Sequence, residues 1–492
     1  MTGILCEPRA KAQFLDSPTS SLTFDPMSAS DRSWTVAPSL LWFAAFLIAG
    51  LVWEDGGLRA LADRLTEHRD AAAPGPVPAV GQGAPQVADR SDASDDTTPA
   101  APPRDAGDHG IGALDDPCID GATELNGACK RWAMDAFYAA VGKSRAGTLG
   151  HPVRVSWFGD SVIATDAIPG RLRTRLQREL GDGGPGFVYV VPPHRFCAND
   201  AITRSSSGAW QSVAISIGPV TDGLYGPGGA SAETDGGRAT IKLASGTVSR
   251  VELYYLSAPH GGKASVLADG KPVIDVDTKA DAKQPGWATA AIDAGASKLE
   301  VRGDGRVRLF GLDLENARGA VVDNLGIVSV HVKSFARNDA AHWSGELAHR
   351  GADLVMIMIG ANEAEWLAPG DKDTKDYQAH YEAVLAPIRA GRPEASCLVV
   401  SPTDQAEAKD GGYPSRPVMP LLVDAQRKAA LAKGCAFFST YAWMGGKGSA
   451  AKWFKRRLVG TDFQHLTSDG ANKLADAVYD ALIEGAKRHA PT

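Results

Sequence analysis

The sequence predicts an α/β fold on a parallel sheet, interrupted by an inserted all-β jelly-roll domain and preceded by an N-terminal anchor and a linker. Three observations predict it. Apolar strand-like runs such as Ala352–Ile359 (ADLVMIMI) alternate with helical patterns, as a parallel sheet covered on both faces requires. From 198 to 317 helical periodicity gives way to short alternating runs separated by Gly, Asp and Pro. Trp34–Trp53 (WTVAPSLLWFAAFLIAGLVW) carries no charge over about the 20 residues a bilayer-spanning helix needs.

In chain order, residues 1–33 are polar and aperiodic and read as a cytoplasmic tail. Residues 34–53 read as a transmembrane anchor with Trp34, Trp42 and Trp53 as interfacial residues. A buried core helix is the competing reading, and a cleaved signal peptide fits less well because Leu51-Val52-Trp53-Glu54 lacks a small-x-small site. Arg9, Lys11 and Arg32 before the span balance Arg59, Arg64 and Arg69 after it, so charge does not orient it. Residues 54–113 form a linker: Leu58–His68 suits a short helix, and 71–110 is too rich in Ala, Pro, Gly and Asp to bury a core.

The first α/β part, 114–197, has a helical pattern from Leu114 to Arg145, a strand from Val153, and a helix over Ile168–Leu180. A Gly/Pro turn and a short apolar strand follow. In the insert the strands are expected at 211–217, 239–243, 248–256, 264–267, 272–276, 288–292, 298–301 and 307–312. The second α/β part, 318–492, runs through strands at 320–330, 352–359, 397–402 and 435–440, with helices at 376–390, 418–433 and 470–487.

Composition excludes more than it identifies. A chain of 492 residues with 44% hydrophobic and 22% charged content has material for several globular units. A net charge of -7 makes no electrostatic case for nucleic acid. Neither a Gly-rich phosphate loop nor a credible ligand cluster appears, so no metal or cofactor is expected. Beyond the anchor, Cys118 with Cys129 can close a short loop, and Cys397 and Cys435 begin strands that can be neighbours; an inert buried thiol is the alternative for each, especially the odd Cys197. Such pairings suit an oxidising periplasm or cell exterior.

The chemistry-bearing residues lie where strands end. Gly159-Asp160-Ser161 turns the chain out of the strand VRVSWF and leaves one hydroxyl at its C-terminal edge, where open α/β sheets place their chemistry. After the last strand, Asp462 precedes His465 by three residues on a loop before a helix. That spacing lets the carboxylate accept from Nδ1 and leaves Nε2 to take a proton from Ser161. Asp-x-x-His is equally a metal-ligand spacing, and helix-entry loops carry Asp and Thr merely as caps.

Taken in order, FGDS, DNLGI, IGANE and DFQHLTSDG resemble the four blocks of the SGNH subgroup of the GDSL hydrolases. The resemblance covers about Val153–Cys197 and Arg318–Lys487 and implies a three-layer fold with a flavodoxin-like parallel sheet. It implies Ser161 as nucleophile, His465 as general base and acid, and Asp462 as its orienter, with an oxyanion hole from the Ser161 and Gly326 N–H groups and the Asn362 amide. GRLRTRL, GDGGPGFVY, the all-β insert and WMGGKGSAAKW are similar to peptidoglycan O-acetylesterases, whose insert resembles a carbohydrate-binding module. Val162 and Ile327-Val328 depart from that pattern beside the site.

The expectation is therefore a serine esterase anchored in a bacterial inner membrane by a single pass, with its catalytic domain in the periplasm or outside. It would remove O-acetyl groups from an envelope glycan such as peptidoglycan through an acyl-serine. Acyl transfer to a sugar hydroxyl, and a non-catalytic glycan-binding protein, are the alternatives. For binding, Trp210, Tyr225, Tyr254 and Tyr255 of the insert are candidate sugar-stacking rings, while aromatics on strands more often belong to the core. Nothing in the residues addresses the oligomeric state.

Overall fold

The computed structural model describes residues 114–119, 129–216 and 220–488. The expected tail, anchor and nearly all of the linker lie outside them. Among the described residues no helix is long and apolar enough to cross a membrane.

The parallel sheet contains β1 (Val153–Gly159), β13 (Ala320–Gly326), β14 (Leu354–Met358), β15 (Ser396–Val400) and β16 (Ala436–Phe438). Its order is β13-β1-β14-β15-β16, every pairing parallel. Numbered along the α/β chain alone this is 2-1-3-4-5, a doubly wound sheet whose direction of progression reverses at β1. Both faces are covered, which explains the unbroken apolar runs. Val155, Trp157 and Met356 pack with α1 (Asp135–Arg145), α3 (Ala167–Leu180) and α10 (Ser468–Arg488) on one face. Phe158, Ile357 and Val399 pack with α5 (Ala340–Arg350), α6 (Asp371–Gly391) and α7 (Met419–Ala432) on the other.

Between β1 and β13 the chain builds two antiparallel sheets. One holds β3 (Ile202–Ser207), β6 (Arg238–Leu243), β8 (Lys263–Ala268), β9 (Lys271–Asp277) and β11 (Lys298–Asp304) in the order β3-β6-β11-β8-β9. The other runs β10 (Gln284–Ala296), β7 (Val248–Ser257), β12 (Arg306–Glu315), β5 (Ala230–Asp235) and β4 (Trp210–Ala214). The short strand β2 (Gly186–Val188), read in sequence with the first α/β part, pairs antiparallel with β12 of the insert instead. Buried Arg350 on α5 joins the two parts, meeting Asp323 of β13 at 2.8 Å and Glu315 of β12 at 2.7 Å.

Two expectations are corrected. The helix before β1 starts at Asp135, not near Leu114: 118 and 129 are joined by a disulfide, and Asp115 pairs with Phe437 as a β-bridge. The strand expected over 320–330 ends at Gly326, because Ile327–Val330 turns away to reach α4 (Val332–Phe335). Tyr225 and Tyr254 of the insert are fully buried, Tyr254 bonding Asp313 at 2.7 Å, so neither offers a ring to a ligand. Trp210 and Tyr255 pack partly buried on the insert core. A second disulfide joins Cys397 and Cys435, and Cys197 is a buried free thiol.

Candidate active site

Three site blocks reach the C-terminal edge of the parallel sheet from the strands around the reversal point. β1 ends at Gly159, and Asp160 caps α2 (Ser161–Ala164), its carboxylate accepting from Val162 N–H at 3.0 Å. Ser161 is thus the first residue of a helix, where its own N–H has no intrahelical acceptor. Gly326 ends β13 in register with Gly159. A Cβ at 326 would lie 2.4 Å from Ala164 N and 2.8 Å from Ile163 C, so only glycine lets β13 close on the backbone of α2. Asn362 follows β14.

The fourth block arrives on a small antiparallel loop. Val459 bridges Leu466, Gly460 N–H donates to His465 O at 2.8 Å, and Thr467 Oγ1 donates to Arg457 O at 2.9 Å. Phe463, left-handed at φ 55°, is buried by stacking on Tyr413 at 4.4 Å and packing on Phe454 at 4.6 Å. These contacts hold Asp462 and His465 at a fixed angle to each other.

The result is one hydrogen-bonded chain. Ser161 Oγ and His465 Nε2 are 2.7 Å apart, and His465 Nδ1 and Asp462 Oδ2 are 2.7 Å apart. An ionised carboxylate only accepts, so Nδ1 carries the proton and Nε2 is the lone-pair nitrogen facing the hydroxyl. Asp462 Oδ1 accepts from Gln464 and His465 N–H at 3.0 Å each. Partial burial raises the pKa of Asp462, but the Gln464 N–H and the His465 ring and N–H outweigh that and hold it below its ordinary value. Asp462 therefore stays an acceptor wherever the imidazole is a base.

The three expected oxyanion donors differ in state. Asn362 Nδ2 spends one N–H on Val330 O at 2.7 Å and keeps a second. Gly326 N–H donates to Asn324 Oδ1 at 3.0 Å, so it is engaged here. Asn324 is one of four residues the sequence reading did not single out as supports of the site; its amide donates to Ala198 O at 3.2 Å and Asp166 Oδ1 at 3.2 Å. Buried Asp160 ties the Ser161 and Asn362 blocks together, its second oxygen accepting from Ala361 N–H at 3.4 Å. Burial pushes its carboxyl up to about 6 against the pull of those two N–H groups. Glu363 accepts from Val332 N–H at 2.7 Å and, being buried, is pushed up to about 7. His194 Nε2 lies 3.4 Å from Gly326 O, and burial lowers its pKa. Asn324 and Glu363 stand inside the quoted blocks DNLGI and IGANE, the only signal pointing to them. Among the described residues no group of three or more His, Cys, Asp or Glu side chains could hold a metal ion.

Comparisons with known proteins find one family and several solved structures to which the chain is similar. Residues 289–473 match the GDSL-like lipase/acylhydrolase family. A peptidoglycan O-acetylesterase structure superposes with a TM-score of 0.62 at 25% identity, covering 72% of this chain and 98% of that one. A salicylyl-acyltransferase from a tetracycline biosynthetic pathway gives 0.27 at 12% identity, over 60% of this chain and 97% of that one. A family two carbohydrate esterase from Clostridium thermocellum in complex with cellohexaose gives 0.25 at 10% identity, over 55% of this chain and all of that one (100%). No curated protein matches the sequence.

Proposed function

We propose that the chain is an ester hydrolase of the SGNH type that removes O-acetyl groups from a cell-envelope glycan, peptidoglycan foremost, through an acetyl-Ser161 intermediate, a reading supported by the match of residues 289–473 to the GDSL-like lipase/acylhydrolase family. The observation that carries the reading is the Ser161–His465–Asp462 hydrogen-bond chain at the edge of the sheet. The glycan is supported by the likeness to a peptidoglycan O-acetylesterase over nearly all of that protein.

Ser161 Oγ attacks the acetyl carbonyl carbon while its proton passes to His465 Nε2. The negative oxygen is met by Ser161 N–H, the free N–H of the Asn362 amide, and Gly326 N–H as that group shifts from Asn324 Oδ1 to the substrate. Each such donor contributes about 2.7–4 kcal/mol to the rate. His465 then returns the proton to the departing sugar oxygen, leaving acetyl-Ser161. Water attacks that ester, its proton goes to His465, and acetate leaves as the proton returns to Ser161 Oγ. Asp462 stabilises the imidazolium in both halves and stays ionised.

The two disulfides support an oxidising compartment. With the charge-free stretch Trp34–Trp53 they support a single-pass protein of the bacterial inner membrane whose catalytic part lies outside the cytoplasm. Incubation of the full chain with O-acetylated peptidoglycan tests the function: released acetate in wild type and none in Ser161→Ala is expected. Hydrolysis of p-nitrophenyl acetate without acetate from the glycan would overturn the substrate.

A further inference from the structure

Exposed large hydrophobic side chains are few among the described residues: Phe196, Trp366, Tyr413 and Leu421. Three are aromatic and about half exposed, at 50%, 53% and 49%. Trp366 closes the turn that follows Asn362 and lies edge-on to His331, which succeeds the Val330 carbonyl bonded by the Asn362 amide. Tyr413 stacks on Phe463, between Asp462 and His465. Phe196 lies two residues after His194, whose ring meets Gly326 O; the Arg195 guanidinium covers one face of its ring at 4.5 Å, and its loop is tied to α2 by Ala198 N–H donating to Ala164 O at 3.2 Å. An exposed ring face beside a site can stack on the C–H face of a pyranose.

A second observation concerns charge. Lys447–Arg457 holds five basic residues and no acid, in a chain of net charge -7. All five are exposed, and none forms an ion pair with a described residue. This stretch includes α9 (Ser449–Lys455) and runs directly into the loop of Asp462 and His465. Its Phe454 packs against both Tyr413 and Phe463, and exposed Lys452, Lys455 and Arg456 are its close neighbours in sequence.

We propose that Phe196, Trp366 and Tyr413, with the cationic flank of Lys452, Lys455 and Arg456, form an extended subsite that holds a linear glycan bearing carboxylates across Ser161. The proposal rests on the glycan esterase reading above and selects within it, favouring acidic glycans over neutral ones. It also places polymer binding on the α/β part, where all six of these residues lie.

The test uses the full chain and three substrates: p-nitrophenyl acetate, O-acetylated peptidoglycan, and acetylated cellohexaose as a neutral glycan. The readout is kcat/KM on each glycan divided by that on p-nitrophenyl acetate, so a fold defect cancels. Trp366→Ala/Tyr413→Ala is expected to lower both ratios about tenfold, chiefly through KM, as the loss of one or two ring contacts implies. Lys452→Glu/Lys455→Glu/Arg456→Glu is expected to lower the peptidoglycan ratio about tenfold and leave the cellohexaose ratio unchanged, and added salt is expected to raise the wild-type KM for peptidoglycan. A peptidoglycan ratio within twofold of wild type in either variant overturns the proposal, as does an equal fall on the neutral glycan in the charge variant. A wild type that hydrolyses p-nitrophenyl acetate but neither glycan overturns the glycan reading itself, and this subsite with it.

Discussion

Gly326→Ala tests the packing that holds Ser161 in place. The added methyl would lie 2.4 Å from Ala164 N and 2.7 Å from Ala164 Cα, where ordinary contact begins at 3.4 Å. Closing that gap requires a shift of 1.0 Å (3.4 minus 2.4). Both contacted atoms are backbone, so no side chain can rotate aside, and either α2 or the end of β13 must move. Overpacking of this kind costs about 1–3 kcal/mol of stability. The same shift moves Ser161 against His465, and a misplacement of about 1 Å costs about 100-fold in rate. Turnover of p-nitrophenyl acetate with thermal unfolding on the same sample reads both. Activity within twofold of wild type would refute the reasoning, because α2 would then be free to give way without moving its hydroxyl.

Asp462→Asn removes the acceptor that holds the proton on His465 Nδ1; a loss of about 100-fold or more in kcat is expected with unfolding little changed, since the Asp462 side chain is about half exposed at 52%. Glu346, beside Trp287 and His342 where α5 packs on the insert, is raised by burial to about 8. A carboxyl raised in this way contributes stability that is full below about pH 4.5 and is lost as pH rises through about 8. Glu346→Gln, neutral throughout, is expected to melt above wild type at pH 9 by a margin that vanishes near pH 5; a constant difference across that range would contradict the burial argument.

How far the sequence carried depended on whether the deciding interactions were local. The runs at β1, β14 and β15 were legible because a strand covered on both faces must be apolar throughout, and Ser161, His465 and Asp462 were legible because strand-end and loop positions announce themselves. The short strand at Gly186–Val188 was legible but its partner was not: so few apolar residues carry no information about pairing, and β12 lies more than a hundred positions away. The pattern from Leu114 failed because a disulfide and a bridge to Phe437 override helical spacing. Tyr254 lies in the core, as strand aromatics more often do, but alternation alone does not say which face of a strand is inward. Asn324 and Glu363 support the site through contacts with Gly326, Ala198 and Val332 that only the packed sheet edge creates.

Acid quenching of the full chain during turnover of p-nitrophenyl acetate, followed by peptide mass mapping, bears most directly on the central claim that Ser161 is the nucleophile of an ester hydrolase. The account predicts one added acetyl group on the peptide containing Ser161, absent in Ser161→Ala, which also loses turnover. An acetyl group on another residue, or turnover retained in Ser161→Ala, would contradict it.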